Sequence, residues 1–231
     1  MTNVVLAAVA HPDDAEFLCA GVLLRLKHEH GWDVHVATMT PGDCGSADHL
    51  PGEIAAIRRK EGAAAAAAVG ATYHCLEEPD LRVVYGPGPL DKVTRLLNTV
   101  RPRVVLTHSP DDYHLDHEQT SKLVRAATFA APIPNFFQDG FGGRCATAPP
   151  PLDHIPYLYY CDPLEGKDAF GNPIPPGFRV DVSAVIDGKS RMLEAHESQR
   201  AWLRKHHGVD NLVESMRAWS AARGRRTGAA F

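Results

Sequence analysis

Apolar residues in this chain fall into short runs separated by stretches with a helical period. Val4-Val5-Leu6-Ala7-Ala8-Val9 is an unbroken apolar run of strand length. Asp33 to Met39 alternates, and Thr72 to Leu76, Val104 to Thr107 and Tyr157 to Tyr160 are further short runs rich in β-branched and aromatic residues. Each predicts a strand, buried on both faces where the run is continuous. Between them, Glu16 to His30 carries Phe17, Val22, Leu23, Leu24 and Leu26 at helical spacing and ends at Gly31. Glu53 to Val69, with alanines at 63–68, predicts a second helix ended by Gly70. Leu90 to Val100, Glu118 to Ala131 and Lys189 to Lys205 predict three more, and Phe178 to Val185 a last strand. Helices that alternate with short apolar strands indicate the α/β class with a mostly parallel sheet.

The segments between are informative in places. Pro41 to Ser46 and Pro173 to Gly177 read as loops. Pro132 to Pro156 is rich in Pro and Gly and holds Phe136, Phe137 and Phe141, so it predicts a long surface excursion and the wall of a pocket. Gly86-Pro87-Gly88-Pro89 is excluded as a dinucleotide loop, because its prolines remove amide donors and no helix opens there directly after a strand. Neither GxSxG nor GxxxxGK[ST] occurs.

Composition narrows the class without naming a function. The 231 residues suffice for a full core and are most simply one domain, 1–231. A net charge of -4 gives no reason to expect a nucleic-acid partner. No run has the length of a membrane span, and the N-terminal stretch lacks the basic region of a signal peptide. Five cysteines, widely spaced and without a CxxC, fit reduced thiols in a cytoplasm better than a disulfide framework.

The candidate chemistry lies at two strand ends. Ala10-His11-Pro12-Asp13-Asp14-Ala15-Glu16 follows the first strand, and His108-Ser109-Pro110-Asp111-Asp112-Tyr113-His114-Leu115-Asp116-His117 follows the fourth. Such groups are costly to bury unpaired, whereas open α/β sheets place ligands at the C-terminal ends of their strands. His11 and Asp14 are three apart, as are His114 and His117, so each pair can reach a common point. Two histidines and a carboxylate with one position open to water is a catalytic zinc arrangement, and a neighbouring carboxylate, Asp13, can stand off the metal and take a proton. Read blandly, one cluster is a helix N-cap and the other a solvated turn. That reading explains one cluster but not the recurrence of two in a single α/β chain.

The two clusters resemble the signature motifs of the zinc-dependent PIG-L/LmbE-like N-deacetylases. The resemblance extends to Glu53-Ile54-Ala55-Ala56-Ile57-Arg58-Arg59-Lys60-Glu61 and Ala195-His196-Glu197-Ser198-Gln199. It implies a Rossmann-like three-layer fold and removal of an acetyl group from an N-acetylglucosaminyl compound, a small-molecule amino-sugar substrate. It also implies His11, Asp14 and His117 as ligands to Zn2+, Asp13 as general base, His114 as the group that steadies the oxyanion, Asp116 as the residue orienting His114, and Arg58 as a substrate contact. Fe2+ or Co2+ would suit the same donor set. Leu115 stands where the family more often has proline. Its chains often continue past the position of Arg226 and commonly assemble into homo-oligomers, for which the apolar C-terminal helix would serve.

Two rival readings are a metallo-phosphoesterase, which would need more bridging ligands, and a non-catalytic metal- or sugar-binding protein, which would need neither Asp13 nor His114. His108 and His196 read equally as packing or participants. Trp202 and Trp219 read as packing or subunit contacts before sugar platforms, and His206 and His207 as helix-end histidines.

Overall fold

A computed structural model describes residues 3–208 and 211–231, apart from the side chains of 206 and 207. The expectation for His206 and His207 therefore lies outside the described residues. Five strands form one sheet: β1 (Val4–Val9), β2 (Asp33–Thr38), β3 (Thr72–Cys75), β4 (Val104–Thr107) and β5 (Tyr157–Tyr160). Their order is β3-β2-β1-β4-β5, and every neighbouring pair is parallel. The chain starts in the centre, winds outward through β2 and β3, then crosses back to β4 and β5. The order reverses between β1 and β4, and at this switch point an open α/β sheet forms its crevice.

Period-two alternation in β1 divides the core. Leu6 and Ala8 face Leu97, Leu123 and Val124 of α4 (Pro87–Val100) and α5 (Leu115–Ala130). Val5, Ala7 and Val9 face Ala15 of α1 (Asp14–Leu18), Leu23 of α2 (Ala20–His30) and Cys19 between the two helices. With helices on both faces the layers number three, as the Rossmann-like expectation required. The alanine-rich α3 (Pro51–Ala67) packs along β3, and the chain continues through α6 (Ile186–Glu194), α7 (Glu197–His207) and α8 (Leu212–Gly224).

Several elements depart from the sequence pattern. The helix expected over 16–30 breaks at Cys19, whose φ is -130° and ψ 1°. Periodicity hides this break, because the apolar stripe continues on one face across it. The helix expected over 189–205 likewise divides into α6 and α7, with the fully buried His196 at the junction. Phe178 to Val185 is no strand: the Val182 amide donates to the Phe231 carbonyl, and the Asp181 carbonyl accepts from Arg25, so the segment's backbone is satisfied away from the sheet. Pro87 to Pro89 form the first turn of α4, where missing amide hydrogens cost nothing. That segment does open a helix, though not directly after a strand. α5 starts at Leu115, three residues early, because His114 caps it by accepting the Asp116 amide through Nδ1 at 3.2 Å. Among the described residues no helix is long and apolar enough to cross a membrane.

Candidate active site

The site forms where the chain leaves β1 and β4. Asp13 caps α1 with φ 100°, a left-handed conformation rare for a residue with a side chain. Such strain persists only where surrounding contacts hold it, and it gathers at functional sites. Here Arg58, buried on α3, supplies the hold. Its Nη2 donates to the Pro12 carbonyl at 2.8 Å and lies 3.7 Å from the Asp13 carboxylate, while Nη1 donates to the Gly42 carbonyl at 3.3 Å. Gly42 (φ 72°) and Gly45 give the guanidinium its space, since a Cβ at either would collide with it.

His11, Asp14 and His117 come together, with one potential donor atom from each within 4.8 Å of the others. Two further triads, His11–His114–Asp116 and His108–Asp112–His117, are as compact. All three carboxylates also hold backbone, but Asp14 gives Oδ2 to the His11 amide at 2.7 Å and turns Oδ1 toward His117. Asp116 accepts the amides of Leu81 at 2.7 Å and Val83 at 3.2 Å, and Asp112 lies 2.9 Å from His117 Nδ1 and accepts the His114 amide at 3.2 Å. His108 Nε2 accepts the Ala10 amide at 2.9 Å. In the first triad the buried His11 Nε2 faces the carboxylates of Asp80 at 3.1 Å and Asp116 at 3.4 Å without a well-aligned hydrogen bond to either, and the Asp112 contact to Nδ1 of His117 leaves its Nε2 to face Asp14 at 3.5 Å. Two imidazole nitrogens and a carboxylate with an oriented ligand histidine suit a divalent transition metal.

Burial sets the electrostatics. It pushes the Asp13 carboxyl up to about 6 against the opposing pull of Arg58. It lowers His108 to about 4, helped by His117, so this ring is neutral in its place beneath the site. His114 is lowered by burial and by the nearby His11 and His117. Because its Nδ1 accepts an amide, the proton of the neutral ring resides on Nε2. His196 is fully buried, with Nε2 3.4 Å from Glu16 Oε1. Burial alone would lower it, yet the Glu16 carboxylate raises it above the usual histidine value.

All seven sequence-derived site residues fall in this region, with one difference of detail. The Asp116 carboxylate, expected to orient His114, instead holds the 81–83 backbone and lies 3.4 Å from His11 Nε2; its amide is what meets the His114 ring. Asp112 and Asp80 were absent from that set. Asp112 stands within the second cluster with no role assigned to it by the resemblance, and Asp80, 3.1 Å from His11 Nε2, has no motif around it. The cleft over the site encloses about 730 Å3. No residue of 132–156 lines it. Instead that excursion packs on α4, with Phe137 buried under the Arg95 guanidinium. The wall comes from Phe17, Leu164, α7 and α8, and it includes both Trp202 and Trp219, which packing or subunit contacts had been expected to claim.

Comparison with known proteins agrees with this geometry. The family model described as PIG-L, GlcNAc-PI de-N-acetylase, matches residues 6–128, and the chain belongs to that family. It is 27% identical to the diacetylchitobiose deacetylase of Thermococcus kodakarensis, over 84% of this chain and 69% of the relative. It is 26% identical to the 1D-myo-inositol 2-acetamido-2-deoxy-alpha-D-glucopyranoside deacetylase of Rhodococcus opacus, over 82% of this chain and 79% of that one. The fold matches the N,N'-diacetylchitobiose deacetylase of Pyrococcus horikoshii with a TM-score of 0.79 at 22% identity, covering 99% and 81% of the two chains. It also matches the 4-carboxy-2-hydroxymuconate hydratase GalB of Pseudomonas putida with a TM-score of 0.76 at 20% identity, covering 98% and 88%. One fold thus serves different reactions, and the site has to decide between them.

Proposed function

We propose that this member of the PIG-L family is a metal-dependent deacetylase that hydrolyses the N-acetyl group of an N-acetylglucosamine-type conjugate, releasing acetate and a free amine. The observation that carries the reading is the convergence of His11, Asp14 and His117, with Asp13 and Arg58 lining the same cleft. The two curated relatives, both deacetylases of acetylated amino sugars by name, support the substrate class.

In this reading His11, Asp14 and His117 hold the ion, with zinc as first choice and Fe2+ or Co2+ as alternatives. The chemistry such an ion supplies is polarisation of the amide carbonyl and acidification of water. Asp13, set off from the ligand set by its own strained backbone, takes the proton of the attacking water at its carboxylate and returns it to the departing amine. Burial makes that carboxylate a stronger base than an exposed aspartate. Arg58 fixes the Pro12–Asp13 peptide, so the base is already aimed when substrate arrives. His114 donates from Nε2 to the developing oxyanion as a neutral imidazole, since its Nδ1 is occupied by the Asp116 amide. A two-metal phosphoesterase is disfavoured because both Asp116 oxygens accept backbone amides and Asp112 Oδ1 is shared between the His114 amide and His117, whereas Asp14 gives Oδ2 to the His11 amide and turns Oδ1 toward His117.

The test is acetate release by metal-loaded protein from a panel of N-acetylglucosamine conjugates, with Asp13→Ala assayed in parallel and metal content measured in both. Release that the variant loses while keeping about one metal per chain supports the assignment. Full turnover in Asp13→Ala would remove Asp13 as the base, and no release from any conjugate would remove the deacetylase reading.

A further inference from the structure

The cleft lining changes character along its length. Around the ligand triad it is formed by ionisable groups, Asp13, Arg58 and Asp112 among them. The wall built by α1, α7 and α8 presents Phe17, Leu18, Trp202, Leu203, Leu212 and Trp219. Among the described residues, Ser215, Gln199 and the nearby Glu165 are its polar lining side chains.

Two buried polar atoms of this wall, Gln199 Oε1 and Trp219 Nε1, have no hydrogen-bond partner among the described residues. Both atoms lie beneath the surface of the wall, so neither meets a ligand's hydroxyl group there. Among the described residues the wall thus offers few polar partners to a second sugar ring. A second sugar or a cyclitol against the leucines and tryptophans would leave several hydroxyls without partners, which is unfavourable in a dehydrated cleft.

The mouth repeats the pattern. Leu81, Tyr113 and Leu164 all line the cleft and are 64%, 62% and 42% exposed. Leu81 sits there on a left-handed backbone, φ 62°, held by the Asp116 carboxylate at 2.7 Å. Backbone strain that keeps a leucine at the rim of a cleft, beside other exposed apolar side chains, marks a contact surface.

We infer that the α1–α7–α8 wall receives an apolar aglycone, so that the substrate is an N-acetylglucosaminide of an alkyl or aryl group and not of a second sugar or a cyclitol. The inference rests on the deacetylase reading above, in which the acyl group is acetyl and the aglycone is the part left to fill the wall.

The experiment uses the full, metal-loaded chain and measures acetate release from methyl, phenyl and octyl N-acetylglucosaminides and from diacetylchitobiose. Carboxylate release from a methyl glucosaminide with an N-octanoyl group is measured in parallel, and each amphiphile is kept below its micellar concentration. The expected result is a kcat/KM for the octyl glycoside at least about tenfold above the methyl glycoside, from burial of only a few methylenes. Leu203→Gln and Leu212→Gln should each pull that ratio toward one. Tryptophan fluorescence titrated with octyl glucoside reads binding without turnover. It should saturate in the parent and shift to higher concentration in both variants. Equal rates for methyl and octyl glycosides, or a preference for diacetylchitobiose, would overturn the apolar aglycone and leave the deacetylase reading standing. Preference for the N-octanoyl compound would assign the wall to the acyl chain and overturn it too. No release from any compound would overturn both readings.

Discussion

The guanidinium of Arg58 donates to the carbonyl oxygen of Pro12 at 2.8 Å, joining α3 to the turn after β1 across 46 residues of chain. The same group reaches the Gly42 carbonyl and stands beside Asp13, so one buried side chain ties three segments around the site. Arg58→Lys keeps the charge but cannot reproduce the fork. The expected cost is about 1–3 kcal/mol of stability for the lost charged hydrogen bonds, read as a lower melting temperature. Turnover should fall by more than tenfold while metal content stays near the parent value, because Arg58 touches the Asp13 peptide and not the ligand side chains. A variant with parent turnover would show that Asp13 needs no external support.

Asp112 acts one step behind the ligand set. Its Oδ1 lies 2.9 Å from Nδ1 of His117 and also accepts the His114 amide, which fixes the ring that presents Nε2 to Asp14. Asp112→Ala should weaken metal affinity by roughly 10–100-fold, the usual effect of removing a carboxylate behind a ligating histidine. Competition with a chelating dye measures it directly, without any substrate. Unchanged affinity would argue that His117 is not a ligand.

The fold was largely legible from apolar runs, and the site from clusters read at the ends of those runs. The runs at Val4–Val9, Val104–Thr107 and Tyr157–Tyr160 are the strands with those bounds. Burial delimits the two inner ones, while β5 is a largely exposed edge strand marked by its tyrosines. His11 could be found because it sits at the end of the first run, and His117 because it belongs to the cluster that opens directly after the fourth. What failed to show depends on contacts between distant segments. The break at Cys19 leaves the apolar stripe unchanged, so no local pattern reports it. Asp80 reaches His11 only because β3 lies two strands from β1. The cleft wall comes from α7 and α8, more than 180 residues beyond His11, while the phenylalanine-bearing excursion that composition favoured is occupied on α4.

Gly62 tests packing against propensity. It lies in α3 ahead of the alanine run, where replacement by alanine would ordinarily favour the helix by about 1 kcal/mol. In this fold a Cβ at that position would stand 2.8 Å from two ring carbons of Tyr73, whose hydroxyl is bonded to Thr38 on β2. The ring is held at both ends and has little room to yield. Overpacking of this kind costs about 1–3 kcal/mol, so Gly62→Ala should lower the melting temperature by a few degrees. A rise would mean that α3 can move off β3 at no cost.

Lys189 offers a pH-dependent test well away from the metal ligands. Its side chain is 4% exposed, Nζ lies 3.3 Å from Ser220 Oγ, and burial lowers its pKa from the ordinary 10.5 to about 8. The charged form is therefore disfavoured in the folded state, by about 3 kcal/mol at most for that interval. At pH 7 folded and unfolded chains both carry the proton, and the penalty is present in full. As pH rises through 8 toward 10.5 the folded chain has released the proton and the unfolded chain still binds it, so the parent protein gains stability relative to a variant lacking the amine. Lys189→Met, similar in length and without charge, should thus melt higher than the parent at pH 7, with the difference shrinking as pH approaches 10. Paired thermal melts at pH 7, 8.5 and 10 follow it. A difference that stays constant across that range would show that Lys189 is already neutral at pH 7 or is solvated through the Trp219 side of the helix pair, and a parent that melts higher at pH 7 would show that the Ser220 contact outweighs the burial of the charge.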